Sequence, residues 1–260
     1  MKAVILAGGL GTRLLPHTFV LPKPLVPVCD RPILDIIIRQ LGYYGFSEAV
    51  LTLGYLAELI EAYVGTISHT LPGISLSFVK EERPLGTAGP IGQMRGADDT
   101  FLLINGDILT SLNYSSMVEF HRRHKSALTI GTHTLRHRID VGVVELDPAG
   151  RLISYTEKPE RRYSISMGVY VCEPSVLGYV QPGEAMDIPQ LVLQLISDSH
   201  KVMGYRHDGH WLDIGNPQEY ARACELFEKD RVAFLPWESA GGDCKGAGGG
   251  RLLHVSAEAS

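Results

Sequence analysis

The sequence contains few cysteines and no long apolar segment. Its 260 residues include four cysteines, whose positions show neither the pairing of a disulfide framework nor the spacing of a zinc site: Cys29, Cys172, Cys224 and Cys244. No apolar run approaches the ~20 residues that a membrane-spanning helix needs. The N-terminus enters an apolar stretch at Ala3, which leaves no room for a signal peptide. We therefore expect a cytoplasmic protein without a membrane partner.

An excess of positive charge is also missing. Lys and Arg total 24 against 29 Asp and Glu, so the formal net charge is -5. A protein that binds nucleic acid through its overall charge presents a basic surface, so nucleic acid is not expected as a partner. The chain is 45% hydrophobic and 20% charged, which is typical of a globular protein with a sizeable core.

Three widespread catalytic or cofactor motifs are absent. The chain has no Gly-Lys pair, and a P-loop requires one. The dinucleotide-binding motif needs a third glycine where Leu14 stands, which argues against an NAD(P)-dependent oxidoreductase; a test for tight dinucleotide binding would separate that alternative. No serine lies in a Gly-x-Ser-x-Gly elbow, so covalent catalysis by serine is not indicated.

The first 24 residues instead carry an unusual concentration of glycine and cations. Lys2–Leu6 reads as a short buried strand of a parallel sheet. Three glycines follow within four positions and let backbone N–H groups approach an anion: Gly8, Gly9 and Gly11. Arg13 and Lys23, the latter between two prolines, then add two positive charges. Strand, glycine loop and cations together predict a phosphate-binding site.

This segment resembles the sugar-1-phosphate nucleotidyltransferases, also called nucleotide-sugar pyrophosphorylases. The resemblance lies in an apolar strand, Ala-Gly-Gly-x-Gly-Thr-Arg-Leu and Pro-Lys-Pro, which here fall within residues 6–14 and 22–24. It implies that the nucleotide is bound by a set of loop residues: Leu6, Ala7, Gly8, Gly9, Gly11, Thr12, Arg13 and Lys23. Arg13 and Lys23 are the implied catalytic residues, with Arg13 on the departing phosphates and Lys23 on the α-phosphate.

Alternating apolar strands and amphipathic helices predict an α/β fold with a doubly wound, mostly parallel, Rossmann-like sheet. The β-rich segments 127–134, 141–146 and 153–156 interrupt this alternation. We interpret them as a small inserted or edge sheet on the sugar side of a cleft. Residues 1–238 form one predicted catalytic domain, and the Gly/Ala/Ser-rich tail 239–260 is predicted to be disordered.

Two aspartates are candidate metal ligands. Asp107 lies just past the apolar strand 101–104, and side chains at the carboxyl end of a parallel strand point into the crevice where ligands bind. Asp213 precedes the last predicted helix, 217–229. Carboxylates hold Mg²⁺ on phosphate oxygens, and the resemblance assigns both positions to Mg²⁺.

The stretch 81–90 resembles the loop with which the family reads the nucleobase, through Gly86 and Thr87. Where relatives that use UTP or dTTP often have Gln, this chain has Glu81. A carboxylate can accept two parallel hydrogen bonds from guanine N1–H and N2–H₂, so Glu81 favours GTP. The sequence of the loop also most closely resembles that of the mannose-1-phosphate guanylyltransferases. UTP, dTTP and CTP remain alternatives.

The sugar-phosphate is expected at a third group of residues. By resemblance, Glu157 binds sugar hydroxyls, Lys158 binds the sugar's phosphate, and Gly142 lets a hexose approach the backbone. The family often has Asn at the position of Ser166. Because serine is shorter and lacks the carboxamide, no specific sugar is assigned.

The implied reaction is an in-line attack of a sugar-1-phosphate oxygen on the α-phosphorus of an NTP, with pyrophosphate leaving and Mg²⁺ as cofactor. The partners are therefore an NTP, GTP by preference, and a sugar-1-phosphate. A regulatory relative that binds nucleotide-sugars without turnover is the alternative, although the retained charged residues count against it. A homo-oligomer is compatible with the resemblance, since dimers are common in the family.

Overall fold

The computed structural model of the chain describes residues 1–15, 17–71, 73–94 and 99–239. Its strands, in chain order, are β1 (Lys2–Ala7), β2 (Pro27–Val28), β3 (Arg31–Pro32), β4 (Glu48–Leu53), β5 (Ser75–Lys80), β6 (Phe101–Asn105), β7 (Ile108–Thr110), β8 (Leu128–Arg138), β9 (Val143–Leu146), β10 (Leu152–Thr156), β11 (Glu160–Cys172), β12 (Val202–Arg206) and β13 (Trp211–Asp213). Its α-helices are α1 (Ile33–Tyr43), α2 (Ala57–Ile67), α3 (Tyr114–His124), α4 (Ile188–Ser197), α5 (Pro217–Lys229) and the one-turn α6 (Arg231–Phe234) and α7 (Pro236–Ser239).

A seven-stranded sheet of order β12-β8-β11-β6-β1-β4-β5 forms the centre of the fold. The β6-β1-β4-β5 neighbours pair in parallel, as do β12 and β8, whereas β11 is antiparallel to both its neighbours. The predicted α/β, doubly wound and mostly parallel sheet is therefore confirmed. Its parallel half brings the carboxyl ends of β5, β4, β1 and β6 to one edge.

Helices cover both faces of this sheet. Ala3 and Ile5 belong to the hydrophobic core on one face, which α1, α2, α3 and α5 help to form. Val4, between them, points to a second core that contains apolar residues of α4. Alternate residues of one strand thus enter two cores, which explains why β1 is a continuous apolar run rather than an alternating one.

The β-rich part of the chain differs from the prediction in one respect. The segment 127–134 does not belong to a separate sheet, because β8 lies inside the central sheet between β12 and β11. β8 and β11 pair over residues 128–138 and 160–172, and this long antiparallel contact recruits β8 to the centre. Of the three predicted segments, the two that form a separate hairpin are β9 and β10.

Element ends shift by a few residues. The apolar segment after Lys23 contains β3 and then α1, since Pro32 is extended and stands before the first helical residue. Within the described ranges, no helix has the length and apolarity to cross a membrane. Ser239, the first residue of the predicted disordered tail 239–260, is the last residue of α7, and the rest of that tail lies outside the described residues.

Candidate active site

A cavity of about 370 Å³ opens at the carboxyl ends of the central strands. Its lining brings together eleven residues that the sequence predicts for nucleotide or metal binding: Leu6, Ala7, Gly8, Gly9, Arg13, Lys23, Glu81, Gly86, Thr87, Asp107 and Asp213. They come from four separate stretches, at or after the ends of β1, β5, β6 and β13. Residues far apart in the sequence thus meet in one cleft.

Lys23 lies between the two aspartates. Its ammonium group donates a hydrogen bond to Asp107 Oδ2 and lies 3.7 Å from Asp213 Oδ1. The lysine side chain is only 10% exposed, because a short 3₁₀ turn over Lys23–Leu25 carries it into the cleft. Burial and the neighbouring Asp107 carboxylate raise the pKa of Asp213, while Lys23 and Arg13 oppose the shift. The two acids are therefore close enough to interact, and a cation between them compensates their charge.

Each aspartate also has an oxygen without a hydrogen-bond partner among the described residues, although Asp213 Oδ1 lies at ion-pair distance from Lys23. Asp107 Oδ1 and Asp213 Oδ1 are buried and accept no hydrogen bond from any residue that the structure describes. A buried carboxylate oxygen left unpaired is costly, so such atoms call for a ligand. Hard oxygen donors of this kind suit Mg²⁺, which binds through one or two carboxylates and completes its shell with phosphates and water. The two side chains therefore fit the predicted metal.

Glu81 occupies the opposite end of the cavity, directly after β5. Its Oε2 accepts a hydrogen bond from the Leu85 N–H at 3.1 Å, while Oε1 accepts none from the described residues. Burial raises the pKa of Glu81, and the bond from Leu85 partly opposes this. A methyl group on Gly8 would stand 2.6 Å from Oε1, so the glycine is what allows the carboxylate to lie against the loop.

The loop after Glu81 is held by a residue that the sequence does not single out. Asp187, the N-cap of α4, accepts hydrogen bonds from Thr87 N–H at 3.0 Å and Thr87 Oγ1 at 3.2 Å. Thr87 Oγ1 in turn accepts from Ile188 N–H at 2.9 Å. Gly86 has φ +75°, and a methyl group there would stand 2.6 Å from the Met186 carbonyl oxygen. Both polar groups of Thr87 that could donate are thus used to fix the loop to α4.

Arg13 is exposed and belongs to a short 3₁₀ turn over Thr12–Leu14. Gly11 precedes this turn with φ +64°, and Thr18 Oγ1 donates a hydrogen bond to its carbonyl oxygen at 2.8 Å. In the described part of the chain, Gly11 and Thr12 are not among the residues that line the cavity. They shape the loop that presents Arg13.

The four predicted sugar-side residues lie outside the cavity lining that the described residues form. Glu157 accepts a hydrogen bond from Tyr155 OH at 3.1 Å, and Lys158 is exposed in the turn between β10 and β11. A methyl group on Gly142 would overlap the Tyr155 hydroxyl, so Tyr155 takes the space beside this glycine. Ser166 Oγ lies 3.0 Å from Tyr170 OH. Their roles remain predictions.

Two further polar residues line the cavity without having been predicted. Asn105 ends β6, and Thr52 lies one residue before the end of β4. Both carry a buried side-chain oxygen that has no hydrogen-bond partner among the described residues. Their position near the ends of apolar strands, close to where Asp107 lies, is the signal that could have identified them.

Comparison with known proteins bears on the family of the chain. Residues 2–230 match the family described as Nucleotidyl transferase, which confirms the resemblance carried by the glycine loop. The chain is 31% identical over 249 residues to the mannose-1-phosphate guanylyltransferase catalytic subunit beta of Xenopus tropicalis, which covers 93% of the chain and 69% of that relative. It is 30% identical over 241 residues to the UTP–glucose-1-phosphate uridylyltransferase of Synechocystis sp., which covers 86% of the chain and 62% of that relative.

Solved structures include a similar fold. HddC from Yersinia pseudotuberculosis complexed with GMP-PN has a TM-score of 0.66 and 27% sequence identity, and the match covers 87% of this chain and 99% of that one. The chain spans 69% and 62% of the length of the two relatives named above.

Proposed function

The chain belongs to the nucleotidyl transferase family, and from that premise we propose that it transfers a nucleotidyl group from an NTP to a sugar-1-phosphate, releasing pyrophosphate. The observation that carries the proposal is the meeting of Lys23, Asp107, Asp213 and Arg13 at one end of a cavity whose other end is Glu81. An NTP and a sugar-1-phosphate are both polyanions, so a site that joins them has to compensate negative charge. Lys23 and Arg13 supply positive charge, and Asp107 and Asp213 would contribute by holding Mg²⁺.

In the proposed reaction, an oxygen of the sugar-1-phosphate forms a bond to the α-phosphorus as the bond to the β-phosphate oxygen breaks. The attacking phosphate is already an anion at neutral pH, so no strong general base is needed. Lys23 would follow the charge that develops on the α-phosphate, and Arg13 would hold the departing pyrophosphate. Asp107 and Asp213 would hold Mg²⁺, which when bound supplies positive charge to phosphate oxygens.

GTP is the proposed nucleotide. The support is Glu81, whose carboxylate faces the cavity with Oε1 free of hydrogen bonds to the described residues. Oε2 already accepts from Leu85 but keeps a second lone pair, so both oxygens can accept from guanine N1–H and N2–H₂. One relative is named a guanylyltransferase, and one similar structure was solved with GMP-PN.

UTP is the second candidate, because a relative of nearly equal similarity is named a uridylyltransferase. Pyrophosphate release distinguishes the candidates when GTP, UTP, dTTP, CTP and ATP are each combined with several sugar-1-phosphates and Mg²⁺. We expect activity in the GTP column, and loss of that activity when EDTA replaces the metal. Activity with another nucleotide would support the proposed reaction but contradict the proposed role of Glu81 in binding guanine. A folded protein that binds nucleotide but releases no pyrophosphate supports the regulatory alternative.

A further inference from the structure

The carboxamide of Asn105 is left unsatisfied at the edge of the cavity. Its Oδ1 is buried without a donor, and its Nδ2 makes no hydrogen bond to the residues that the structure describes. The side chain is partly exposed and contributes to the cavity lining. A carboxamide can form up to four hydrogen bonds, and groups of this kind are rarely left unpaired unless water or a ligand completes them.

The order of strands places Asn105 at the end of the cavity away from Glu81. Glu81 follows β5 at one edge of the sheet, the glycine loop follows β1, and Asp107 follows β6. Asn105 also belongs to β6, and the next strand in this direction is β11. Under the proposed function, the nucleobase binds beside Glu81 and the phosphates of the NTP bind at the glycine loop. The space for the sugar-phosphate is then at the end of the cavity formed by β6 and β11.

Gly168 of β11 makes room for the carboxamide there. A methyl group at Gly168 would stand 2.6 Å from Asn105 Nδ2, and its φ of +71° also favours glycine. Ser166, the residue expected to bind a sugar hydroxyl, lies 3.0 Å from Tyr170 OH and accepts from Gly168 N–H at 3.4 Å. Ser166 is therefore engaged within β11, whereas Asn105 has free capacity.

We propose that Asn105 is a specificity-determining residue that hydrogen-bonds a hydroxyl of the sugar-1-phosphate. The inference rests on the proposed function for the direction in which the substrates lie. A carboxamide both donates and accepts, so it suits a hydroxyl, which does the same. The chain thus carries a carboxamide for the sugar on β6, in place of one at position 166 on β11.

The test compares the wild type with Asn105→Ala. We expect KM for the sugar-1-phosphate to rise on the order of 10-fold, the loss of about one hydrogen bond, while KM for the NTP changes little. A series of deoxy-sugar-1-phosphates identifies the hydroxyl. The analogue that lacks this hydroxyl should bind the wild type more weakly than the parent sugar-1-phosphate does. The same analogue and the parent should bind Asn105→Ala equally well. Asn113→Ala is the control, since it removes an asparagine that caps α3 and does not line the cavity.

Three results would overturn the inference. These are an unchanged KM for the sugar-1-phosphate, a rise in KM for the NTP instead, and the absence of any deoxy analogue that couples to Asn105. If Asn105→Ala does not fold, Asn105→Ser, which keeps a polar side chain, replaces it in the same series. Calorimetric binding of sugar-1-phosphates to the same variants tests Asn105 even if the wild type shows no turnover, so failure of the proposed reaction and failure of this inference give different results.

Discussion

Removal of the Asp187 carboxylate tests whether the loop after Glu81 is positioned by α4. In Asp187→Ala, Thr87 loses an acceptor for its N–H and for its hydroxyl, and α4 loses the side chain of its N-cap residue. The bond from the backbone N–H of residue 187 to Gln190 Oε1 is kept, because alanine has the same N–H. Loss of a cap costs about 0.5–2 kcal/mol, and a net hydrogen bond is worth about 1 kcal/mol. The contacts overlap, so we expect the free energy of unfolding to fall by about 2 kcal/mol. For a chain of this length that lowers Tm by roughly 4–8 °C.

The same change should weaken nucleotide binding selectively. Gly86 and Thr87 lie at the end of the cavity that contains Glu81, so a loosened loop has to be ordered again each time an NTP binds. We expect KM for the NTP to rise about 10-fold, equivalent to 1.4 kcal/mol of lost preorganisation, with KM for the sugar-1-phosphate nearly unchanged. Initial rates of pyrophosphate release, with each substrate varied in turn, measure both constants.

Asp198→Ala is the matched control. Asp198 lies just after the other end of α4, where it accepts a hydrogen bond from Tyr179 OH at 2.9 Å. It should lower stability without changing KM for the NTP. The reasoning would be refuted if Asp187→Ala lowers Tm as expected but leaves KM for the NTP unaltered, or if the control raises that constant to the same extent.

Three other predictions concern the cavity. Lys23→Ala should lower kcat on the order of 100-fold while the protein remains folded, since a charged contact to the reacting phosphate is lost. The control is Lys2→Ala, which breaks a surface ion pair with Glu48. Near-normal turnover of Lys23→Ala would contradict the assigned role. Glu81 must be ionised to accept two hydrogen bonds from guanine, and burial raises its pKa. We therefore expect KM for GTP to rise as pH falls, beginning at a higher pH than for a glutamate with an ordinary pKa. KM is measured against pH for the wild type and Glu81→Gln, and identical profiles would contradict the role of Glu81. Gly8→Ala should raise KM for the NTP more than Gly9→Ala does. A methyl group at Gly8 would stand 2.6 Å from Glu81 Oε1, whereas a methyl group at Gly9 would have no atom within 4 Å. Equal effects of the two substitutions on KM would contradict a role for the contact between Gly8 and Glu81.

Much of the cavity lining could be predicted because its residues lie at or after the ends of short apolar strands. β1 and β6 read as strands from their apolar runs, and the carboxyl ends of parallel strands meet at one edge. Asp107 and the glycine loop could therefore be assigned to the same cleft from the sequence alone. The position of β8 could not, because its neighbour β11 begins more than 20 residues after β8 ends and pairing at such a distance leaves no local signal.

Asp187 and Asn105 escaped prediction for different reasons. An aspartate before a helix is an ordinary N-cap, and nothing in the sequence indicates that its second role is to hold Thr87. Asn105 lies two residues before Asp107, which is the residue in this segment that the sequence indicates as a metal ligand. What distinguishes Asn105 is a side-chain oxygen without a hydrogen-bond partner among the described residues, and the sequence alone does not show this.

The hydrogen bonds between Thr87 and Asp187 also have a consequence for folding. The two residues are 100 positions apart in the chain, so the loop between Glu81 and Gly89 cannot be held until α4 has docked. Closing so long a loop costs entropy before the contact repays it, and such contacts tend to form late. During synthesis the glycine loop emerges well before the helix that completes the other end of the cleft. The end of the cleft at which we propose that the nucleobase binds is thus completed only when most of the chain has been made.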